Sequence, residues 1–149
     1  MDKAANKNVI MISIHPQFAK AIFRGEKTVE FRKFNIPRHV EFVVLYVTAP
    51  ESKIVGYFKV KDVIEDDAPA LWRRFKDVSG TTKEFFFKYY GEQGKGRCFL
   101  VDDVNVLQNP ISLDNFNGGK GRPPQSFSYV DKAAWGNLKR RKKKLSPIS

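Results

Sequence analysis

A chain of 149 residues with 42% hydrophobic residues, thirteen Phe and five Tyr is long enough to bury a core, which sets a disordered polar segment aside. No apolar run reaches the ~20 residues that cross a bilayer. Cys98 is the only cysteine and His15 and His39 the only histidines, so no internal disulfide forms, no Cys/His set has zinc spacing, and neither a metal nor a cofactor is expected.

The net charge of +11 is unevenly spread. Residues 132 to 144 carry seven lysines and arginines and no acid, leaving +4 for residues 1 to 131. In chain order, residues 1–8 read as a flexible N-terminus without the apolar stretch of a signal peptide, so a cytoplasmic location is expected. Val9 to Ile14 reads as a strand, alternating at Ile10, Ile12 and Ile14. Pro16 suits a first helical turn, Phe18 and Ile22 share one face, and Gly25 ends the helix in the left-handed region. Thr28 to Lys33 reads as a strand with Thr28, Glu30 and Arg32 on one face and Val29 and Phe31 on the other.

Val40 to Thr48, apolar on both faces apart from Glu41, predicts a central strand. Ile54 to Ile64 follows as a strand interrupted by Gly56, a mark of a bulge or of close approach by a neighbour. Pro69 to Asp77 predicts a helix with Leu71, Trp72 and Phe75 inward. The capping box Thr81-Thr82-Lys83-Glu84 opens a second helix that buries Phe85, Phe86 and Tyr89 and stops at Gly91. Arg97 to Leu107 is the last long strand. The chain then turns irregular through Gly118, Gly119, Gly121 and Pro123-Pro124, and residues 131–149 form a flexible basic tail that attracts polyanions. A single α+β domain, mainly β, over residues 9–130 is expected, with a small, largely closed sheet and the two middle helices over one opening of it.

The chemistry concentrates in Gly25-Glu26-Lys27-Thr28-Val29-Glu30-Phe31-Arg32. Arginine and lysine suit phosphate, a glutamate accepts from exocyclic amines, and aromatic faces stack on bases. Two further segments complete a candidate ligand site: the loop at His15-Pro16-Gln17, and Pro123-Pro124-Gln125-Ser126-Phe127. The competing reading is a solvated, salt-bridging edge strand. No Ser/His/Asp or Cys/His triad assembles, but a lysine with a carboxylate partner can still act as a base.

Gly25-x-Lys27-x-x-Glu30-x-Arg32, preceded by Ile14-His15-Pro16-Gln17-Phe18-Ala19 and followed by Ile54-Val55-Gly56 and Pro123 to Phe127, resembles the signature of the ASCH domain, a member of the PUA-like superfamily. The resemblance implies a β-barrel with helices over its ends and a cleft facing the charged motif. It also implies RNA, single-stranded nucleic acid or a nucleoside as partner. The binding set would be His15, Gln17, Lys27, Thr28, Glu30, Arg32, Gln125 and Ser126. Some relatives are amidohydrolases of acylated cytidine, and some are linked to RNA cleavage. In the former a lysine is catalytic, with a threonine three residues on and a later glutamate. Lys27 matches that lysine, Glu30 stands at the threonine position, and Asp77 is the nearest candidate for the later acid. The expectation is therefore an RNA- or nucleotide-binding module, or alternatively a small hydrolase with Lys27 as base and Glu30 or Asp77 as its partner. The oligomeric state is left open.

Overall fold

The computed structural model describes residues 5–37, 39–91, 94–116 and 122–144; the glycines at 118, 119 and 121 lie outside them. The elements run β1 (Ala5–Ile14), α1 (Pro16–Phe23), β2 (Val29–Arg32), β3 (Phe42–Val47), β4 (Lys53–Asp67), α2 (Ala68–Phe75), α3 (Lys83–Tyr90), β5 (Lys95–Ile111), β6 (Ser128–Asp131) and α4 (Lys132–Arg140). Short 3-10 turns lie at Lys76–Val78 and Leu113–Asn115. None of the described helices is long and apolar enough to cross a membrane.

Six strands form one sheet in the order β2-β5-β4-β3-β1-β6. Among the described residues only β1 and β3 pair in parallel, through the crossover that contains α1 and β2. β3 sits between β4 and β1 with five of its six residues buried, as its two apolar faces require. The long β4 and β5 pair with three register shifts, each a local bend and added twist. At one shift Gly56 faces Val106, and a Cβ there would collide with the Asn105 carbonyl.

The curl brings the two ends of the sheet together. β2 is the first strand of the order and β1 the fifth, yet Arg32 Nη2 donates to the Ser13 carbonyl at 2.9 Å. Among the described residues no backbone ladder joins β2 to β6. The expected barrel is thus barrel-like but open, with a seam bridged by side chains.

Three apolar clusters fill the body. Val9, Met11, Val44, Tyr57 and Leu107 pack on one face of the sheet. Ile10, Ile12, Val43, Leu45 and Phe58 pack on the other, under Ala19 and Ile22 of α1. Val29, Phe31 and Cys98 meet Leu71, Phe75, Phe86 and Tyr90 of α2 and α3 in the third. Each such side chain contributes about 1.5–3 kcal/mol on burial.

The structure departs from the sequence reading at both termini. β1 starts at Ala5 rather than Val9, because Ala5 and Asn6 pair with Asp131 and Val130 of β6. Residues 132–144 are not a loose tail. Asp131 caps α4 by accepting from Ala134 N at 2.7 Å, and Trp135 and Leu138 are buried three residues apart. Trp135 packs 4.8 Å from Phe42 and 4.9 Å from Tyr57. The chain then returns along β5, with Gln108 N donating to Lys142 O at 2.9 Å and Lys144 N to Val106 O at 2.8 Å. The surrounding charge hid this short amphipathic period. In α3 the cap is Thr82, whose hydroxyl accepts from Phe85 N at 3.1 Å, one residue later than the predicted box. Phe86 and Tyr90 consequently point inward, while Phe85 is 43% exposed.

Candidate functional site

The turn after α1 sets the site. Gly25 has φ +76°, and the Glu26 and Lys27 amides both donate to Ala21 O, at 3.0 and 3.1 Å. Thr28 N then donates to Val78 O at 3.0 Å, while Thr28 O receives Val101 N at 2.9 Å. These backbone bonds turn the Lys27 side chain inward, leaving it 3% exposed. Its ammonium donates to Ser79 O, lies 3.4 Å from Glu30 Oε1, and sits 5.3 and 5.4 Å from the rings of Phe18 and Phe31. Gly80, at φ +66°, packs on the lysine stem so closely that a Cβ there would lie 2.9 Å from Lys27 Cβ.

Glu30 is the hub. One carboxylate oxygen faces Lys27, and the other accepts from both Nε and Nη2 of Arg32, with Nε at 3.1 Å. Among the described residues no buried side-chain polar atom lacks a partner, so the cluster is fully satisfied. This excludes the solvated edge strand: Glu30 is 5% exposed. Burial lowers the proton affinity of Lys27, and Glu30 offsets only part of that effect. Burial alone would raise the Glu30 pKa, but the charges of Arg32 and Lys27 reverse the shift and hold it below the ordinary carboxylate value.

Above the triad lies a cleft of ≈ 230 Å³ at the open seam. Lys27, Glu30 and Arg32 reach it from below, and Phe18, Phe85, Phe86 and Tyr89 form its aromatic wall. Ser13, His15, Thr48 and Thr81 add polar groups. Phe18 and Phe85 meet edge to face at 5.4 Å, and Tyr89 OH accepts from Lys33 N at 3.2 Å.

Of the residues singled out from sequence, Lys27, Glu30, Arg32 and His15 line this cleft. Gln17 and Thr28 are exposed and outside its lining. Gln125 and Ser126 are also exposed and outside it, although the preceding Pro124 carbonyl accepts from Ser13 Oγ at 2.8 Å. Asp77 is exposed in the 3-10 turn and does not reach the cleft; its neighbour Ser79 supplies the lysine's backbone acceptor instead. Sequence reasoning assigned Phe85 and Tyr89 to the interior, placed Phe18 on the apolar face of α1 and Thr81 in a capping box, and gave Thr48 no role in a site. The one available signal was the surplus of aromatic residues in the Phe85 to Tyr90 block.

The profile of the ASCH domain matches residues 12–107. An ASCH domain-containing ribonuclease of Zymomonas mobilis is 29% identical over 135 residues, which cover 89% of this chain and 90% of that protein. The crystal structure of ASCH from Zymomonas mobilis superposes with a TM-score of 0.83 at 27% identity, covering 92% of this chain and 98% of that one. Large ribosomal subunit protein uL22 of Ureaplasma parvum is 32% identical over 122 residues, 81% of this chain, and the match spans 39% of that protein's length.

Proposed function

The chain belongs to the ASCH domain family, and from that premise we propose that it binds single-stranded RNA, taking one unstacked nucleotide into the cleft over Lys27, Glu30 and Arg32. The observation that carries this reading is a cationic floor behind an aromatic wall in one small cavity. At ≈ 230 Å³ the space is below the ~300–1,000 Å³ of pockets for drug-sized ligands, and so suits a base or a phosphate rather than a duplex. The guanidinium and ammonium supply donors, the carboxylate an acceptor, and Phe85 and Tyr89 flat faces.

A second reading, RNA strand cleavage, is favoured by the lowered proton affinity of Lys27 and by the relative named a ribonuclease. In it the neutral Lys27 amine accepts the proton of a ribose 2′-hydroxyl, whose oxygen attacks the adjacent phosphorus. The bond to the 5′-oxygen breaks, and that oxygen takes a proton from water or from His15 at the cleft edge. The products are a 2′,3′-cyclic phosphate and a 5′-hydroxyl. The amide of an acylated cytidine is the competing substrate.

The test incubates wild type, Lys27→Met and Arg32→Ala with end-labelled single-stranded RNA and, separately, with acylated cytidine. Anisotropy reads binding, and gels and chromatography read products. RNA binding that Arg32→Ala weakens supports the binding reading, and RNA products that vanish in Lys27→Met extend it to cleavage. Wild type that ignores RNA but deacylates the nucleoside overturns both RNA readings.

A further inference from the structure

Only two large hydrophobic side chains among the described residues are exposed, Phe85 at 43% and Tyr129 at 39%. Phe85 belongs to the cleft wall. Tyr129 belongs to β6, where it pairs with Ile10 and therefore shares the face of Ile10 rather than that of Met11. It meets Phe127 edge to face at 5.5 Å, and Phe127 lies 5.1 Å from Phe34, only 32° from parallel. Phe34 follows Arg32 by two residues.

The row begins where the cleft ends. Ser13 lines the cleft, accepts from Arg32 and donates to Pro124, three residues before Phe127. Ile14 also lines the cleft and shares the face of Ile10, the residue opposite Tyr129, from which it stands four strand residues, or about 13 Å. That is room for one or two further nucleotides of an extended strand. Lys33 and Arg122, both exposed, stand in sequence beside Phe34 and Pro123 and offer charge for the intervening phosphate.

We propose that Phe34, Phe127 and Tyr129 form a stacking platform for the nucleotide adjacent to the one in the cleft, so that the protein holds at least two consecutive nucleotides of a single strand. This rests on the RNA reading above. An exposed ring beside a ligand cleft, here Tyr129 backed by the half-buried Phe127 and Phe34, serves as a stacking face for a base, an interaction tolerant of base identity.

The test compares affinities for the four nucleoside 5′-monophosphates with those for the matching single-stranded trinucleotides. Wild type should bind a trinucleotide about tenfold or more tighter than its monophosphate, the scale of one base–aromatic stack. Tyr129→Ala should remove most of that gain and leave monophosphate affinity unchanged, while Tyr129→Phe should retain it. Tyr129→Leu keeps apolar contact with Phe127 without a π face, and should lose the gain as Tyr129→Ala does. Because stacking is not ionic, the part of the gain that Tyr129→Ala removes should persist when salt is raised. A gain that survives in Tyr129→Leu, or a loss equal for both ligands, overturns the platform. Monophosphate binding with no trinucleotide gain in wild type overturns it while leaving the cleft reading intact. Binding of neither ligand overturns both.

Discussion

The molecule carries two concentrations of charge built on opposite terms. Lys27, Glu30 and Arg32 hold three charges in a nearly buried cluster fixed by side-chain bonds. Residues 139 to 144 hold six consecutive cations on a strap fixed by backbone bonds to β5, its side chains exposed except the half-buried Lys143. In the cluster each charge acts at short range in a poorly solvated space, so geometry decides what it does. On the strap the charges are hydrated and screened within about 8–10 Å at ordinary salt. The larger charge is therefore the less selective one: under the proposed reading the strap adds to attraction for a polyanion, and the triad decides what fits.

The sharpest way to break that contrast is Glu30→Ala. It leaves the buried Lys27 and the partly buried Arg32 without their carboxylate, and a loss of about 3–5 kcal/mol is expected from urea unfolding. A loss under ~1 kcal/mol would place the triad in the same class as the strap. Next comes pH. The folded state lowers the Lys27 pKa below 10.5, so between the folded value and 10.5 the unfolded chain binds more protons, and stability rises with pH across that window. Glu30 works at the other end: its folded pKa is below 4.5, so its contribution is present above 4.5 and is lost as pH falls through the folded value. Melting temperature followed against pH should show the alkaline contribution in wild type and lose it in Lys27→Met.

For the strap, Arg141→Gln, Lys142→Gln and Lys144→Gln combined should move stability by no more than roughly 0.5 kcal/mol per site. The slope of log affinity for single-stranded RNA against log salt should flatten by up to about 0.7 per phosphate contact removed, with base preference unchanged. The smallest effect belongs to an ion pair outside both regions. Arg97 Nε meets Glu65 at 3.0 Å with the Glu65 side chain 57% exposed, and Glu65→Gln should cost at most ~1 kcal/mol and leave RNA binding alone.

What was legible in the sequence was what local rules govern. Pro16, Gly25 and Gly91 bound helices α1 and α3 where proline and glycine chemistry requires, and Val43 to Leu45 lie in a central strand because both their faces are apolar. The Lys27-Glu30-Arg32 cluster was visible as a motif, but its burial was not, since alternation alone put Glu30 on a polar face. That face is covered by long-range contacts, Arg32 to Ser13 and Lys27 to Ser79, which no local pattern encodes. Strand β6 and α4 were missed for a related reason. Trp135 and Leu138 form a single short apolar stripe that acquires meaning only against Phe42 and Tyr57, nearly eighty residues or more upstream.

The open seam has a topological consequence. A barrel closed by backbone on every side would admit a polymer only by threading, one end first. Here the wall between β1 and β2 is a slit bridged by the Arg32–Ser13 bond, and parting it leaves every strand ladder intact. The nucleotide taken into the proposed cleft would enter sideways, and a circular RNA, which has no end to thread, would present it as readily as a linear one.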